Sequence, residues 1–258
     1  MSNKLFVSGD DFSPVIHLSK APIVEAVIDF RVLSGDVWDP QQLKERILKE
    51  LPSYSKKIEE GKEVVYSLSL DGTQPKEQHL GCTGYKLTSL DGNNVVQFNQ
   101  HGFVFSRVKE YQDWEHSCSE AHSLWTTYCQ LINPKGVKRI GVRFINQMGA
   151  KEAPLNLKDY FRTPPDEKQV DNWSLVQFLQ RDVLAVPGTP YFVILIKTVL
   201  PPTTNYQGGV VVLDIDVFTE QRTACSWDEI NKHLVTIRDL KNKAFFRNIL
   251  REKIKEFE

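Results

Sequence analysis

Between residues 63 and 108 apolar side chains fall on every second position, and from about Gln112 the period lengthens to that of a helix. Alternation of two puts one set of side chains on one face of a strand. Recurrence every three or four residues puts them on one face of a helix. Four strands are predicted at residues 64–70, 84–90, 95–99 and 103–108, with turns at Asp71-Gly72, at Asp91-Gly92 and through Gln100-His101-Gly102. An Asp-Gly pair between alternating runs is a hairpin signal, so the region reads as an antiparallel meander. It feeds a helix ending near Ile132, with Trp114, Cys118, Ala121, Trp125, Tyr128 and Ile132 on its apolar face. Asp113 is placed to cap it or open its first turn, and Pro134 and Gly136 stop it. A one-sided meander and a one-sided helix must bury their apolar faces against each other, which restricts the chain to a layered α+β fold.

The remaining segments fit that layering. After Pro22 a strand places Ile28, Phe30 and Val32 on one face and Asp29 and Arg31 on the other. Leu43, Ile47 and Leu51 mark a short helix ended by Pro52. Residues 137–148 form a strand with Ile140, Val142 and Phe144 opposite Arg139, Gly141, Arg143, Ile145 and Gln147. Residues 155–161 look like a short helix and Pro164-Pro165 opens a loop, while residues 173–186 fit strand and helix equally. Strands are predicted at 191–200 and 210–218. The last helix runs from Ser226 to the end, with Trp227, Ile230, Leu234, Ile237, Ala244 and Phe245 inward. Ser226 with Glu229 makes a capping box.

This order of elements suggests an internal repeat. At an offset of 113, Trp114 falls on Trp227, Glu115 on Asp228, Val104 on Val217, Phe105 on Phe218 and Leu124 on Ile237; at 114, Ile28 falls on Val142 and Phe30 on Phe144. The expected architecture is one twisted antiparallel sheet built from residues 1–134 and 135–258, packed as a continuous unit with the long helices on one face. That layout resembles the saddle of the TATA-binding-protein fold, a likeness of topology that does not fix function.

The stretches LSKAPIVEAVIDFRV, GYKLTSLDG, VQFNQHGFVFSRVKEYQDWE and RIGVRFINQ resemble a sporadically distributed family of bacterial proteins of unknown function. The resemblance runs from about residue 18 to the last helix. Its most specific parts are Ala21-Pro22-Ile23, the Phe98 to Arg107 hairpin with Trp114-Glu115, and the segment from Arg139 to Asn146. It implies no reaction, ligand or catalytic residue. The patchy distribution suits an accessory role such as phage defence or a toxin–antitoxin partnership.

Charge and cysteine usage bound the chemistry. With 32 basic and 33 acidic residues the net charge is −1, so no global field draws the chain to nucleic acid or an anionic membrane. The four cysteines, Cys82, Cys118, Cys129 and Cys225, contain no CxxC pair, which points to free thiols in a reducing cytoplasm. The N-terminus lacks the pattern of a signal peptide. On the polar side of the sheet, Arg31, Gln97, Asn99, Arg139 and Arg143 are the candidate ligand-binding residues, because arginine forks and amides suit phosphate or nucleotide contacts. Asp214 and Asp216, two apart on one strand face, with Asp29, form an alternative set for a divalent cation. The competing reading pairs those acids with Arg31, Arg139 and Arg143 as a balanced surface. Equal numbers of acids and arginines also disfavour a nucleic-acid saddle, which needs a basic excess. Trp114 and Trp125 read as core, Trp38 and Trp173 as more exposed, and Cys118 and His122 as core or boundary. The expected function is non-enzymatic binding or sensing in the bacterial cytoplasm, without a cofactor and with a protein partner or second copy. The alternative is a metal-dependent enzyme acting on a nucleotide or nucleic-acid phosphate through Asp214, Asp216 and Arg143.

Overall fold

A computed structural model describes residues 18–35, 38–67, 76–153, 155–165 and 177–258. Its strands are β1 (Ile23–Leu33), β2 (Lys57–Ser67), β3 (Lys76–Thr88), β4 (Asn94–Asn99), β5 (Gly102–Arg107), β6 (Gly136–Ala150), β7 (Leu179–Ala185), β8 (Tyr191–Leu200) and β9 (Gly209–Thr219). The helices are α1 (Pro40–Glu50), α2 (Trp114–Ile132), α3 (Trp227–Asn248) and the single turn α4 (Arg251–Ile254). The nine strands form one open sheet in the order β2-β3-β4-β5-β1-β6-β9-β8-β7, with every named pair antiparallel. The meander is present as β2 to β5. Its Asp91-Gly92 turn is present too, with Gly92 at φ +77°, a conformation that a β-carbon would strain. The Asp71-Gly72 turn and Trp173 lie outside the described residues.

The centre of the sheet is the β1–β6 pair, in which Ile28 lies opposite Val142 and Phe30 opposite Ile140. Alternate residues of both strands face the helices and are buried: Ala26, Ile28, Phe30 and Val32 on β1; Ile140, Val142 and Phe144 on β6. Trp125 of α2 meets Phe30 and Phe103 edge-on, at 5.0 and 5.6 Å between ring centres, and stacks on Tyr128 at 5.2 Å. Its indole N–H donates to the Cys225 carbonyl at 2.9 Å, so the buried ring leaves no polar atom orphaned. Trp114 is also in the core, as its place on the helix stripe requires.

Several elements differ from their predicted form. Residues 179–185 of the undecided stretch are strand β7, an exposed edge strand whose apolar positions are not confined to one face. The helix-like segment at 155–161 is one 3-10 turn, Leu157–Asp159. The last helix breaks after Asn248. Ile249 is extended and bridges to Phe161, and Leu250 N–H donates to the Tyr160 carbonyl at 2.9 Å, so a cross-chain strap replaces the next helical turn. Ser226 makes no side-chain cap bond, whereas Asp113 and Asp39 accept from the backbone N–H three residues on, at 2.7 and 3.0 Å. The offset of 113 also misaligns one strand pair. Phe105 is on the helix-covered face, while Phe218 lies opposite Gly141 on the other. A slip of one residue inverts the face of every side chain in a strand.

The face away from the helices is polar only in part. Phe192 and Phe218 stack there at 5.5 Å, and Leu179, Val183 and Leu200 are exposed on the same side of the β7–β9 region. Among the described residues no helix is long and apolar enough to cross a membrane.

Candidate functional site

The structure gathers the predicted acids and arginines into a closed ion-pair network on the open face. A bulge between Arg31 and Val32 shifts the β1–β6 register, so that Val137 faces the core and Arg139 the opposite side. Arg139 Nη1 donates to Asp29 Oδ1 at 2.6 Å, and Nη2 donates to Asp216 Oδ2 at 3.1 Å. The guanidinium also lies 4.5 Å over the Phe218 ring. Gly141 makes this possible: a β-carbon there would sit 2.5 Å from both Arg139 Nη1 and Asp29 Oδ1. Arg143 grips Asp214 bidentately, Nε to Oδ1 at 2.9 Å and Nη2 to Oδ2 at 2.6 Å. That grip raises the Arg143 pKa further. Asp216 has one carboxylate oxygen buried without a hydrogen-bond partner, and burial pushes its pKa up against the pull of Arg139.

Each of the three aspartates is therefore held by an arginine, and a cation would have to displace those arginines to reach them. Among the described residues no cluster of three His, Cys, Asp or Glu is placed to hold a metal ion. Of the ligand candidates, Arg31 is exposed and Gln97 and Asn99 are half-buried on the same face; Arg31 and Asn99 both pair in register with Gly102 of β5. Arg139 and Arg143 are spoken for. No cavity is lined by these five residues among the described pockets.

The cavity lies on the other side of the sheet, between the start of α2 and the second half of α3. It encloses about 100 Å³ and opens to solvent. Phe144, buried behind the lining, is the ring on which several lining residues pack. Tyr111 and Trp114 approach that ring at 5.5 and 6.4 Å, and Lys241 Nζ lies 4.0 Å above it. Asn146, two residues further along β6, is buried and lines the cavity; its amide N–H donates to the Leu213 carbonyl at 3.0 Å, which leaves the amide oxygen as its offered acceptor. Leu18, Pro22, Phe245 and Phe246 close the apolar walls.

Lys241 sets the electrostatics. Helical spacing puts it on the inward stripe of α3, one turn after Ile237 and one before Phe245. Its stem keeps some accessible surface at the cavity, but the ammonium end is surrounded by protein. Among the described residues no carboxylate or carbonyl pairs with it. Burial, with a smaller push from the Arg238 charge, lowers its pKa to about 7. The other charges at the mouth are already paired: Arg238 with Glu115 at 3.0 Å, and Asp113 with His116 at 2.7 Å. No family model and no curated protein matches this chain. The site is therefore read from its own geometry.

Lys241 was not among the residues singled out by sequence, although a signal exists: a lysine interrupts the inward series Ile230, Leu234, Ile237, Phe245. Three segments distant in sequence meet at this cavity, through Ala21-Pro22-Ile23, Trp114-Glu115 and Asn146.

A second, more open depression lies at the other end of α2, lined by His122, Trp125, Cys129, Cys225 and Trp227 among others. His122 is exposed, against its predicted boundary position, and stacks on Trp227 at 4.4 Å. The Cys129 thiol hydrogen-bonds to Cys225, which raises the pKa of Cys129 and lowers that of Cys225. Cys118 is buried enough to push its thiol up to about 11, which makes it a packing residue. Trp38 is half-buried and donates to the Cys82 carbonyl at 2.9 Å.

Proposed function

We propose that this chain is a non-enzymatic binding or sensing module whose site is the cavity between α2 and α3, and that its ligand is a small organic anion with an apolar or aromatic body. The observation that carries this reading is Lys241: an ammonium over an aromatic ring with no acidic partner among the described residues. A buried charge without a counter-ion is costly. An incoming anion supplies the missing partner and recovers that cost. Trp114, Tyr111 and Phe246 offer the apolar contact, and the Asn146 amide offers orientation.

The arginine-held state of Asp29, Asp214 and Asp216 favours this reading over metal-dependent phosphate chemistry. A bacterial cytoplasmic setting, with a protein partner or second copy reading out the ligand, fits a sensing role in phage defence or a toxin–antitoxin pair.

The scaffold reading is a duplicated, saddle-like sheet. Three observations support it. The sheet order is balanced about the central pair, with β5, β4, β3 outside β1 and β9, β8, β7 outside β6. Ile28 and Val142, equivalent at an offset of 114, lie directly opposite each other, as residues on a local two-fold axis must. At an offset of 113 the inward residues Trp114, Ser117, Ala121, Leu124, Tyr128 and Ile132 fall on Trp227, Ile230, Leu234, Ile237, Lys241 and Phe245. In the repeat, Lys241 takes the place of Tyr128.

Native mass spectrometry of the protein purified from its own host tests the binding reading and reads oligomeric state in the same spectrum. A small-molecule adduct is expected on the wild type and not on Lys241→Met. A wild-type chain that carries no adduct, or an adduct retained in full by the variant, overturns the assignment.

A further inference from the structure

We infer that the ligand is a carbonyl compound, an aldehyde or ketone that also carries a carboxylate or phosphate, and that it condenses reversibly with the Lys241 amine inside the cavity. This rests on the binding reading and deepens it by naming the ligand's reactive group.

A lysine becomes a nucleophile when it is desolvated or placed beside another cation, because both favour the neutral amine. Lys241 has both, the Phe144 ring beneath its ammonium and the guanidinium of Arg238 one turn earlier on α3. At pH 7 about half of Lys241 is neutral, against roughly one part in a few thousand for a solvated lysine. Lys241 lines the cavity, and among the described residues no hydrogen bond takes up its amine.

Lys197 provides the contrast. As a residue it is more buried than Lys241, and its pKa is also lowered by burial, but its ammonium donates to the Thr163 carbonyl at 3.0 Å, and it does not line either cavity. Burial alone therefore does not make a site. The anionic group of the ligand has Arg238 at the mouth: its bond to Glu115 joins two partly exposed side chains, and such pairs contribute little and exchange readily.

The step balances without an oxidant or reductant. The nitrogen lone pair attacks the carbonyl carbon, a C–N bond forms, and the C=O π pair moves to oxygen. A proton passes from nitrogen to that oxygen. The hydroxyl then takes a second proton and leaves as water while C=N forms. One water is released, and hydrolysis reverses the sequence. Burial weakens the Tyr111 hydroxyl as an acid, so the second proton comes from solvent, to which the cavity is open.

The test uses the full chain at pH 7, with pyridoxal 5′-phosphate as the anionic aldehyde and borohydride to fix any imine, followed by peptide mapping. One reduced adduct on Lys241 is expected, at least about tenfold over any other lysine, given its larger neutral fraction. Pyridoxal without the phosphate should label Lys241 more weakly, and Arg238→Met should remove most of that difference. Lys241→Arg, with its fold checked by circular dichroism, should lose the adduct. Label spread evenly over exposed lysines, or Lys241 left unlabelled, overturns the inference. If the host-derived adduct of the wild type is present and depends on Lys241 while trapping fails, anion binding stands and the covalent step falls. If both fail, the binding reading falls with it.

Discussion

Replacing Lys241 with methionine should stabilise the protein at pH 6 and lose that advantage as the pH rises. The folded-state pKa of Lys241 is about 7, below the ordinary 10.5, so between these values the unfolded chain binds more protons than the folded one. Unfolding free energy then rises with pH across that window. The penalty for burying the charged form is fully present below pH 7 and vanishes near pH 10.5. The gap, at 1.36 kcal/mol per pH unit, is about 5 kcal/mol. That figure is an upper limit, because the side chain keeps some accessible surface and the contact with the Phe144 face returns about 1 kcal/mol. Methionine keeps the length of the side chain and removes the charge. A net gain of about 2–4 kcal/mol is expected at pH 6. Urea denaturation of both proteins from pH 6 to pH 10 measures it. With a slope of about 2–3 kcal/mol per molar, the midpoint of the variant should lie about 1 M higher at pH 6 and converge on the wild type by pH 10. A difference between the two proteins that does not change with pH would refute the reasoning, and so would a variant less stable at pH 6.

Arg143→Met should destabilise by about 3 kcal/mol or more in the same assay, because it strands the buried Asp214 carboxylate; Asp214→Asn should cost less, since Arg143 is partly exposed and can turn to solvent. Gly141→Ala should cost about 1–3 kcal/mol by forcing Arg139 off Asp29. The two long helices should respond differently to loss of their caps: about 1 kcal/mol for Asp113→Ala, and close to nothing for Ser226→Ala, whose hydroxyl makes no cap bond.

The fold was legible wherever a side-chain period of two or 3.6 was set by burial on one face. β1, β4, β5 and β6 have one covered face, so their alternation gave both the strand and its inward residues, and Trp114 and Trp125 were readable as core from the α2 stripe. β7 was not legible, because an edge strand exposed on both faces has no burial to impose alternation. Nor was the break after Asn248, which is set by the distant Tyr160–Arg162 strap rather than by a local stop signal. The open face followed the same logic. Its arginines and aspartates were placed on the right side, but their partners depend on strand order, and Asp214 came to rest against Arg143 because β9 is the neighbour of β6. Lys241 required knowing that Phe144 of β6 meets Tyr111 and Trp114, from the stretch that opens α2, beneath it. A lysine on an inward stripe signals only that something unusual is buried there.

The ladder between β1 and β6 also governs how the chain can fold. It joins residues 114 positions apart at the centre of the sheet, and closing so long a loop returns no contacts until both partners are in place. The β2–β5 meander and the β7–β9 hairpins, by contrast, close over short turns. Local hairpins should therefore form early and the middle of the sheet last. A chain cut in the exposed turn between α2 and β6 would keep each set of hairpins intact and would need only the central ladder to reassemble.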